Sequence, residues 1–379
     1  MIKTSSSFYI VFLTIFYVFA GGGSCVNAQF VVKKIPNKYK VQHTNQKTNS
    51  TNSMVMNKNV VDLTRYLPAN YSTSGEIDYT EQIQKGLSEN RNVKFPNFPI
   101  LINDKGLTLS SNSNLYFGEN SKIILKGSSK ERYEILRMDN VQNITINNPV
   151  IEGDRNSHKG NTGEWGMGIA VRGGSKNISI NNAQISNCWG DGVYLGHLRN
   201  EAPVDVTINS PIIDNCRRNG ISITTGKDIT VVHALISNIH GTAPQSGIVI
   251  EPSNSKAVFH NISVINPIIY NVYETGFKIA GFEKLLGNPN AVSNITIANP
   301  VTDLSQYGMF IGRIRDEKTV KGESLKGKIQ IDNPVWLNTS VNSFIIRKQS
   351  KRGPTINVKG VKESVKKSGK LEAKEVILL

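Results

Sequence analysis

Short segments in which apolar and polar residues alternate recur through most of the chain. One nine-residue phrase, "NITINNPVI" in its first copy, begins at residue 143 and returns in variant form at residues 177, 205, 228, 261, 294 and 328. Successive copies lie 23 to 34 residues apart. A period of two predicts β-strands, and short strands repeated in units of this length predict an all-β solenoid rather than a stack of helices.

A second phrase recurs within the units and leads through a glycine into another alternating strand. Its copies include "NCWGDGVYL", "NCRRNGISI", "NVYETGFKI" and "DLSQYGMFI". The glycines, such as Gly192, are predicted to be corners of the solenoid. Cys188 and Cys216 fall at equivalent positions one coil apart, so both a disulfide and two stacked thiols remain open. The asparagines predicted to stack as an amide ladder are Asn187, Asn215, Asn238 and Asn271.

These repeats resemble the right-handed parallel β-helix of the pectin-lyase-like superfamily. The resemblance covers residues 60–346. It includes an amphipathic segment, Asp78–Asn90, which is expected to form a short N-terminal helix that caps the open end of the solenoid. The superfamily suggests a carbohydrate-active protein, although a fold by itself does not fix an activity.

The chain outside the repeats divides into three further segments. Residues 1–28 have the features of a secretory signal peptide, since a positively charged start is followed by the apolar run Phe8–Ala20 and by small residues. A lipid anchor at Cys25 is the alternative. Residues 29–59 are rich in Asn, Thr, Lys and Gln, which predicts a disordered linker, and residues 347–379 form a basic tail. No later segment has the length and apolarity of a transmembrane helix, so a secreted, periplasmic or cell-surface protein is expected.

The charge balance indicates the class of partner. The formal net charge is +15, which favours an acidic polysaccharide. Basic and aromatic residues are not interleaved as single-stranded nucleic acid requires, so nucleic acid is not expected. Outward-facing acids are too sparse to predict a calcium cluster, and no cofactor is predicted.

Strand alternation after each corner glycine separates an inner from an outer set of side chains. The first and third residues are apolar without exception and are predicted to fill the interior. The outer set contains a tyrosine, a glutamate and a lysine on nearby coils, which we interpret as the floor of a groove, with ordinary surface residues as the alternative. The inner pairs are Ile169/Val171, Val193/Leu195, Ile221/Ile223, Ile248/Ile250, Phe277/Ile279 and Met309/Ile311, and the outer set is Ala170, Arg172, Tyr194, Ser222, Thr224, Val249, Glu251, Lys278 and Phe310.

Two insertions, residues 153–166 and 240–246, flank this stripe and are predicted to build a binding wall. They carry charged side chains, two histidines and a tryptophan, which suit hydrogen bonding to sugars and stacking on them. A packing role is the alternative for each. The residues predicted to bind substrate, here and nearby, are Asp154, Arg155, His158, Trp165, Arg172, His240 and Arg313.

A lyase or C5-epimerase acting on a uronate is the first hypothesis for the chemistry. Such an enzyme needs a cation that neutralises the carboxylate, a base that removes the C5 proton, and an acid. Tyr194 and His197 are the candidate acid and base, and Arg218 and Lys278 are the candidate cations. The order "GDR…TG…W", followed by "ISNCWGDGVYLGH", resembles mannuronan C5-epimerases, although the Tyr and His stand at different positions of the strand.

A glycoside hydrolase of polygalacturonase type is the second hypothesis. Asp191 and Glu251 lie two coils apart, about 9.6 Å between strands, which is near the upper limit for an inverting pair of carboxylates. The resemblance to polygalacturonases is broken, because Gly190 replaces one of their adjacent aspartates and Asn219 replaces their histidine. A non-catalytic glycan-binding or surface solenoid is the third hypothesis.

Overall fold

A computed structural model of the chain describes residues 30–48, 59–312, 324–347, 353–367 and 370–376. The chain divides into two compact units, Met1–Val31 and Val32–Leu379. The predicted signal peptide lies outside the described residues, as does nearly all of the first unit, so the description concerns the second. No helix in the described ranges is both long and apolar enough to cross a membrane.

Short β-strands make up most of the second unit. Its described helical segments are α1 (Asn37–Thr48), α2 (Thr80–Glu89) and the 3-10 turns Leu63–Tyr66 and Phe282–Leu285. In chain order the strands are β1 (Val61–Asp62), β2 (Asn92–Lys94), β3 (Pro99–Ile102), β4 (Leu107–Thr108), β5 (Asn114–Tyr116), β6 (Lys122–Leu125), β7 (Arg132–Asp139), β8 (Gln142–Asn147), β9 (Val150–Glu152), β10 (Trp165–Arg172), β11 (Lys176–Asn181), β12 (Gln184–Ser186), β13 (Val193–Gly196), β14 (Val204–Asn209), β15 (Ile212–Asp214), β16 (Asn219–Ile223), β17 (Gly226–Val232), β18 (Leu235–Ile239), β19 (Ser246–Ile250), β20 (Phe259–Ile265), β21 (Ile268–Val272), β22 (Thr275–Ile279), β23 (Asn294–Ala298), β24 (Val301–Ile311), β25 (Lys328–Asp332), β26 (Val335–Ile346), β27 (Thr355–Lys359), β28 (Val361–Lys367) and β29 (Lys370–Val376).

The strands wind into a parallel β-solenoid of about nine turns with three faces. The first face runs β1-β2-β5-β8-β11-β14-β17-β20-β23-β25-β27. The second runs from β3 through β9, β12, β15, β18 and β21 to the start of β24, and the third runs from β4 through β7, β10, β13, β16, β19 and β22 to the end of β24. Each coil adds one strand to each face. The predicted all-β solenoid is thereby confirmed, while its handedness stays a prediction.

The interior is filled by the apolar side chains that alternation predicted. All twelve residues of the inner pairs are buried, with Ile311 at 4% the most exposed. The corner glycines allow close approach between coils: a Cβ added at Gly192 would lie 2.6 Å from Ile213 Cγ2 and 2.8 Å from the Gly220 carbonyl oxygen. Glycine is therefore required by space at this corner. A positive φ is not the reason, since Gly192 does not have one.

The amide ladder forms, but in two pieces. Asn215 donates from Nδ2 to Asn187 Oδ1 at 2.7 Å, and Asn271 donates to Asn238 Oδ1 at 2.6 Å. Between them Asn238 turns to Asp214 Oδ1 at 2.7 Å. All four asparagines have φ between 54° and 56°, the left-handed region that asparagine tolerates better than other residues with a Cβ. The backbone at the turn thus explains the recurring residue type.

The segment predicted as a disordered linker differs from expectation over its first part. Residues 30–48 are described, and they contain α1. Tyr39 is 3% exposed, packs with Leu235, Ile268 and Tyr270 of the second face, and donates from its hydroxyl to Asp303 Oδ2 at 2.6 Å. Composition suggested disorder because a single tyrosine is a weak signal. Tyr39 nevertheless anchors this segment, and the Lys33 backbone exchanges two hydrogen bonds with the Asn238 side chain.

The helix near the start and the basic tail also have defined structure. α2 lies inside the predicted Asp78–Asn90 and buries Ile83 and Leu87, while its capping role stays a prediction. β27 pairs in parallel with β25, so the ladder continues beyond residue 346 into the predicted tail. Cys188 and Cys216 are buried and free, which favours two thiols over a disulfide.

Candidate functional site

An open groove lies on the third face, along the stripe of outward residues. Its empty volume is about 560 Å³. Strand register places Tyr194 beside Ser222, Ser222 beside Val249, Val249 beside Lys278 and Lys278 beside Phe310, so these form one column. The lining residues are Trp165, Tyr194, Arg218, Ser222, Thr224, Val249, Glu251, Pro252, Ser253 and Lys284.

Two sets of loops border the groove. We call the loops that lead into the third face, residues 153–164, 187–192, 215–218 and 240–245, the first wall. The loops that leave it, residues 197–203, 251–258 and 280–286, are the second wall. The predicted insertions belong to the first wall, and the second wall contains residues that the sequence did not single out.

Tyr194 forms one end of the groove floor. Its ring lies over Gly196, where an added Cβ would come within 2.3 Å of Tyr194 Cε1. Its hydroxyl lies 3.3 Å from Thr224 Oγ1. The side chain is half-buried, so the phenol is held in place and still faces the groove.

Arg172 lies one coil before Tyr194 and is fully engaged. Its guanidinium donates to both carboxylate oxygens of Asp139 at 2.8 and 2.7 Å and to Glu134 Oε1 at 2.5 Å. The bonds to Asp139 raise the pKa of Arg172, although burial opposes them. Arg172 belongs to a network of ions beside the groove, and its role in binding substrate stays a prediction.

Arg218 joins the groove to the interior of the first wall. It donates to Asp191 Oδ2 at 2.9 Å and to Glu164 Oε2 at 3.2 Å. Asp191 has no exposed side-chain surface, and burial raises its pKa against the opposing effect of Arg218. Burial lowers the pKa of Arg218, but the carboxylates of Asp191 and Glu164 have the larger combined effect and raise it overall. Asp191 thus positions Arg218 and is not open to a substrate.

Glu251 and Lys284 face each other on the second wall. Lys284 Nζ lies 3.6 Å from Glu251 Oε1 and donates to the Pro252 carbonyl at 3.0 Å. The Lys284 side chain is 42% exposed and the Glu251 side chain is 35% exposed, so both contact solvent. The 3-10 turn that carries Lys284 is fixed by Phe282 and Leu285, which are buried in the core. Lys284 was not predicted from the sequence. The one feature that could have indicated it is its position between the apolar residues Phe282 and Leu285, which anchor the turn.

His197 lies behind the second wall. Its Nδ1 is 2.9 Å from Ser253 Oγ, and Ser253 lines the groove. Burial lowers the pKa of His197, with an opposing contribution from the backbone of Lys256. The structure therefore brings His197 to the groove through Ser253, which the sequence did not identify. Lys278 pairs with Glu274 at 3.0 Å and is not among the groove-lining residues.

Asp154 and His158 lie inside the first wall. His158 Nδ1 is 2.8 Å from Asp154 Oδ2, and neither side chain has exposed surface. Asp154 also accepts a bond from the Tyr133 hydroxyl, and Trp189 stacks on the His158 ring at 3.9 Å between centroids. Both residues were predicted to bind substrate. Their burial gives them a packing role, because an aspartate so enclosed cannot reach a sugar.

Arg155 and His240 connect two loops of the first wall. An Arg155 nitrogen lies 2.9 Å from His240 Nε2 and 2.8 Å from the His240 carbonyl oxygen. Burial lowers the pKa of His240 to about 4, and Arg155 lowers it as well. Trp165 lines the groove, with the Arg132 guanidinium 4.8 Å from its ring centroid. Arg313, the remaining predicted residue, lies outside the described residues.

The described part of the chain contains no group of three or more His, Cys, Asp or Glu side chains placed to hold a metal ion. The groove instead offers a phenol, an indole, two cations and one half-exposed carboxylate. Such a set can stack on sugar rings, neutralise a carboxylate and exchange a proton.

No protein-family model matches the chain. The SPbeta prophage-derived uncharacterized protein YorA of Bacillus subtilis (strain 168) is 28% identical over 163 residues, which cover 38% of this chain and 28% of that protein. The chain thus matches well under a third of that relative's length.

Solved structures with similar folds include a phage tailspike and a surface adhesin. A mutant tailspike protein of the E. coli bacteriophage HK620, in complex with a pentasaccharide, has a TM-score of 0.57 at 13% identity, covering 80% of this chain and 57% of that one. PfbA, a surface adhesin of Streptococcus pneumoniae, has a TM-score of 0.53 at 11% identity, covering 81% of this chain and 88% of that one. At these identities the likeness establishes the fold alone, a parallel β-helix.

Proposed function

We propose that this pectin-lyase-like parallel β-helix processes an acidic, uronate-containing polysaccharide in the groove of its third face, by β-elimination or C5-epimerisation. One observation carries the proposal: the phenol of Tyr194 and the cations Arg218 and Lys284 line the same open groove. Elimination and epimerisation need a carboxylate neutralised and a proton removed from the adjacent carbon, and these residue types supply both.

The groove suits an extended polymer. Adjacent coils are about 4.8 Å apart, a spacing comparable to the length of one sugar residue, so a chain along the axis would place roughly one sugar on each coil. Trp165 and Tyr194 offer aromatic surface for sugar rings. The HK620 tailspike, which shares the fold, was solved with a pentasaccharide, and this supports a saccharide as the ligand.

We assign the proton transfer to Tyr194, because its hydroxyl is held by Thr224 and faces the groove. Lys284 is the cation most open to a substrate carboxylate, and Arg218 adds a second positive group fixed by Asp191. Glu251 orients Lys284. His197, paired with Ser253, flanks this set, and Lys278 lies at the next coil, where it would meet the polymer beyond the reacting sugar.

A non-catalytic glycan-binding protein is the second candidate, and a specific observation favours it. Arg172, Arg218 and Glu251 are each engaged in an ion pair within the protein, which holds their charges in place for a ligand and leaves none of the three as an unpaired acid or base. The surface adhesin PfbA shares the fold over most of both chains. Hydrolysis by paired carboxylates is less favoured, because Asp191 is buried against Arg218 and only Glu251 remains in the groove.

We further propose that the protein acts outside the cell or at its surface. The predicted signal peptide supports this, as do the functions of the two proteins of similar fold, an adhesin and a phage tailspike. Polysaccharides of the cell surface or matrix would be accessible there.

The test uses protein expressed without residues 1–28 and a panel of alginate, pectate, glycosaminoglycans and neutral glycans. Ultraviolet absorbance of unsaturated uronates reports elimination, proton NMR reports epimerisation, and a reducing-end assay reports hydrolysis. We expect absorbance or an NMR change with one acidic polymer, lost about 100-fold or more in Tyr194→Phe. Tyr71→Phe is the matched control, since Tyr71 stacks on Phe98 far from the groove. Reducing ends without absorbance would overturn the proposed chemistry, and glycan retention without any product would favour the binding protein.

A further inference from the structure

Two long loops of the second wall meet across a short turn. The loop after β13 spans residues 197–203 and the loop after β19 spans residues 251–258, whereas β16 and β17, on the coil between, are joined by Thr224 and Thr225 alone. The later loop can therefore fold back over the short turn and reach the earlier one. At the meeting point His197 Nδ1 lies 2.9 Å from Ser253 Oγ.

From this geometry we propose that Ser253 and His197 are a nucleophile and its general base, and that they hydrolyse O-acyl esters of saccharides held in the groove. The inference rests on the proposed function for its substrate, but the ester chemistry is separate from elimination. A serine hydroxyl within hydrogen-bonding distance of an imidazole is the arrangement that activates serine for acyl transfer. Ser253 is exposed and lines the groove, so an ester on a bound sugar could reach it.

The imidazole is in the state a base requires. Burial lowers the pKa of His197 below its usual value of 6.5, which favours the neutral ring. The backbone of Lys256 opposes this lowering of the pKa of His197. Nδ1 accepts the serine proton in the tautomer that carries its own proton on Nε2.

Lys284 supplies positive charge where an oxyanion would form. Its Nζ donates to the carbonyl of Pro252, the residue directly before Ser253, at 3.0 Å. The buried Phe282 and Leu285 hold the 3-10 turn in position. A cation fixed in advance next to the nucleophile stabilises the negative charge that develops on the acyl oxygen.

The reaction needs water as its only other reactant. Ser253 Oγ bonds to the acyl carbon as its proton moves to His197 Nδ1, and the ester C–O bond then breaks while the sugar oxygen takes that proton. Water attacks the acyl-serine next, giving its proton to His197, and the serine leaves with a proton as the carboxylic acid is released.

The experiment measures acetate release from p-nitrophenyl acetate and from O-acetylated alginate and pectin. We expect Ser253→Ala and His197→Ala to lose release by about 100-fold or more, the scale of a lost general base. Ser255→Ala, an exposed serine on the same loop, is the matched control and should keep the wild-type rate. A fluorophosphonate probe followed by peptide mapping should label Ser253 in the wild type and not in His197→Ala.

Equal acetate release by all variants, or labelling at another serine, would overturn the inference. Probe labelling of the wild type keeps the test decisive even if a variant fails to fold. Unsaturated uronates without acetate release would overturn this inference alone. Acetate release without elimination, epimerisation or glycan retention would instead overturn the proposed function and leave the esterase intact.

Discussion

The two walls of the groove contain similar residue types in different environments. In the first wall, Asp154, His158 and Asp191 have no exposed side-chain surface, and each meets a partner inside the protein. In the second wall, Glu251 and Lys284 are 35% and 42% exposed, and their nearest charged atoms are 3.6 Å apart. The Asp154, His158 and Asp191 side chains are thus enclosed on one side of the groove, where Glu164 alone of the paired acids is exposed, at 34%, whereas the charged pair on the other side is open.

This difference assigns the walls different tasks. Buried charges that are fully hydrogen-bonded fix loop geometry, and removing one partner leaves the other uncompensated. Exposed charges contribute little to stability but can change partner when a ligand arrives. We therefore expect substitutions in the first wall to affect folding and substitutions in the second wall to affect ligands.

Asp191→Ala should have the largest effect on folding. It leaves the Arg218 guanidinium without its closest carboxylate, and such a loss costs about 3–5 kcal/mol. Urea unfolding followed by circular dichroism measures the change. Glu81→Ala removes an exposed ion pair with Lys105, at 2.6 Å, and serves as the control with an unchanged unfolding midpoint. Equal midpoints for the two variants would contradict the structural role of the first wall.

His240 should make stability depend on pH. Burial, together with the charge of Arg155, lowers its pKa from the usual 6.5 to about 4. Between about pH 4 and 6.5 the unfolded chain binds a proton at His240 that the folded protein does not. The contribution of the neutral ring to the free energy of unfolding is therefore complete above pH 6.5 and is lost as the pH falls to about 4. We expect a loss of about 1–2 kcal/mol, reduced by solvent screening of the half-buried ring.

The measurement compares unfolding free energies across this pH range in the wild type and in His240→Gln. The variant should show a shallower fall, since the titrating group is gone. His260→Gln removes a histidine that bonds a surface carbonyl, and it should keep the wild-type slope. An unchanged slope in His240→Gln would contradict the assignment.

The solenoid could be predicted from sequence because each coil repeats the same local pattern. Alternation identified the inner residues, and the recurring asparagines marked turns with positive φ. The segment anchored by Tyr39 was missed because it lacks the repeat and is held by contacts with residues more than 200 positions away, such as Asp303.

The site could be predicted only along the strands. Register follows from the repeat, so the column that contains Tyr194, Ser222 and Val249 was readable from sequence. The loops do not repeat, and their conformations decide which charges meet. The burial of Asp154 and the placement of Lys284 at the groove depend on those conformations. From residue type alone, Asp154 was therefore predicted to bind substrate and Lys284 was not predicted to have any role.

Gly196→Ala should disturb the groove floor at little cost to folding. An added Cβ would come within 2.3 Å of Tyr194 Cε1 and 2.4 Å of its hydroxyl oxygen, and these outer atoms belong to a half-buried side chain that can rotate away. We expect a stability change of about 0.5 kcal/mol, with polymer processing reduced to the level of Tyr194→Phe. The double variant should be no worse than either single one, because both act through one ring. Additive losses would show that Gly196 acts elsewhere.

Lys284→Ala should change stability least, since an exposed ion pair contributes about 0–1 kcal/mol. Its effect should appear in affinity: retention on an immobilised acidic polymer should fall about tenfold, which is 1.4 kcal/mol, and retention on a neutral glycan should not change. The matched control is Lys105→Ala, because Lys105 also pairs with a glutamate but lies on the open surface. The loss should shrink as salt is added, because screening weakens an exposed charge. A drop of equal size for both lysines would mean that net charge, and not the second wall, retains the polymer.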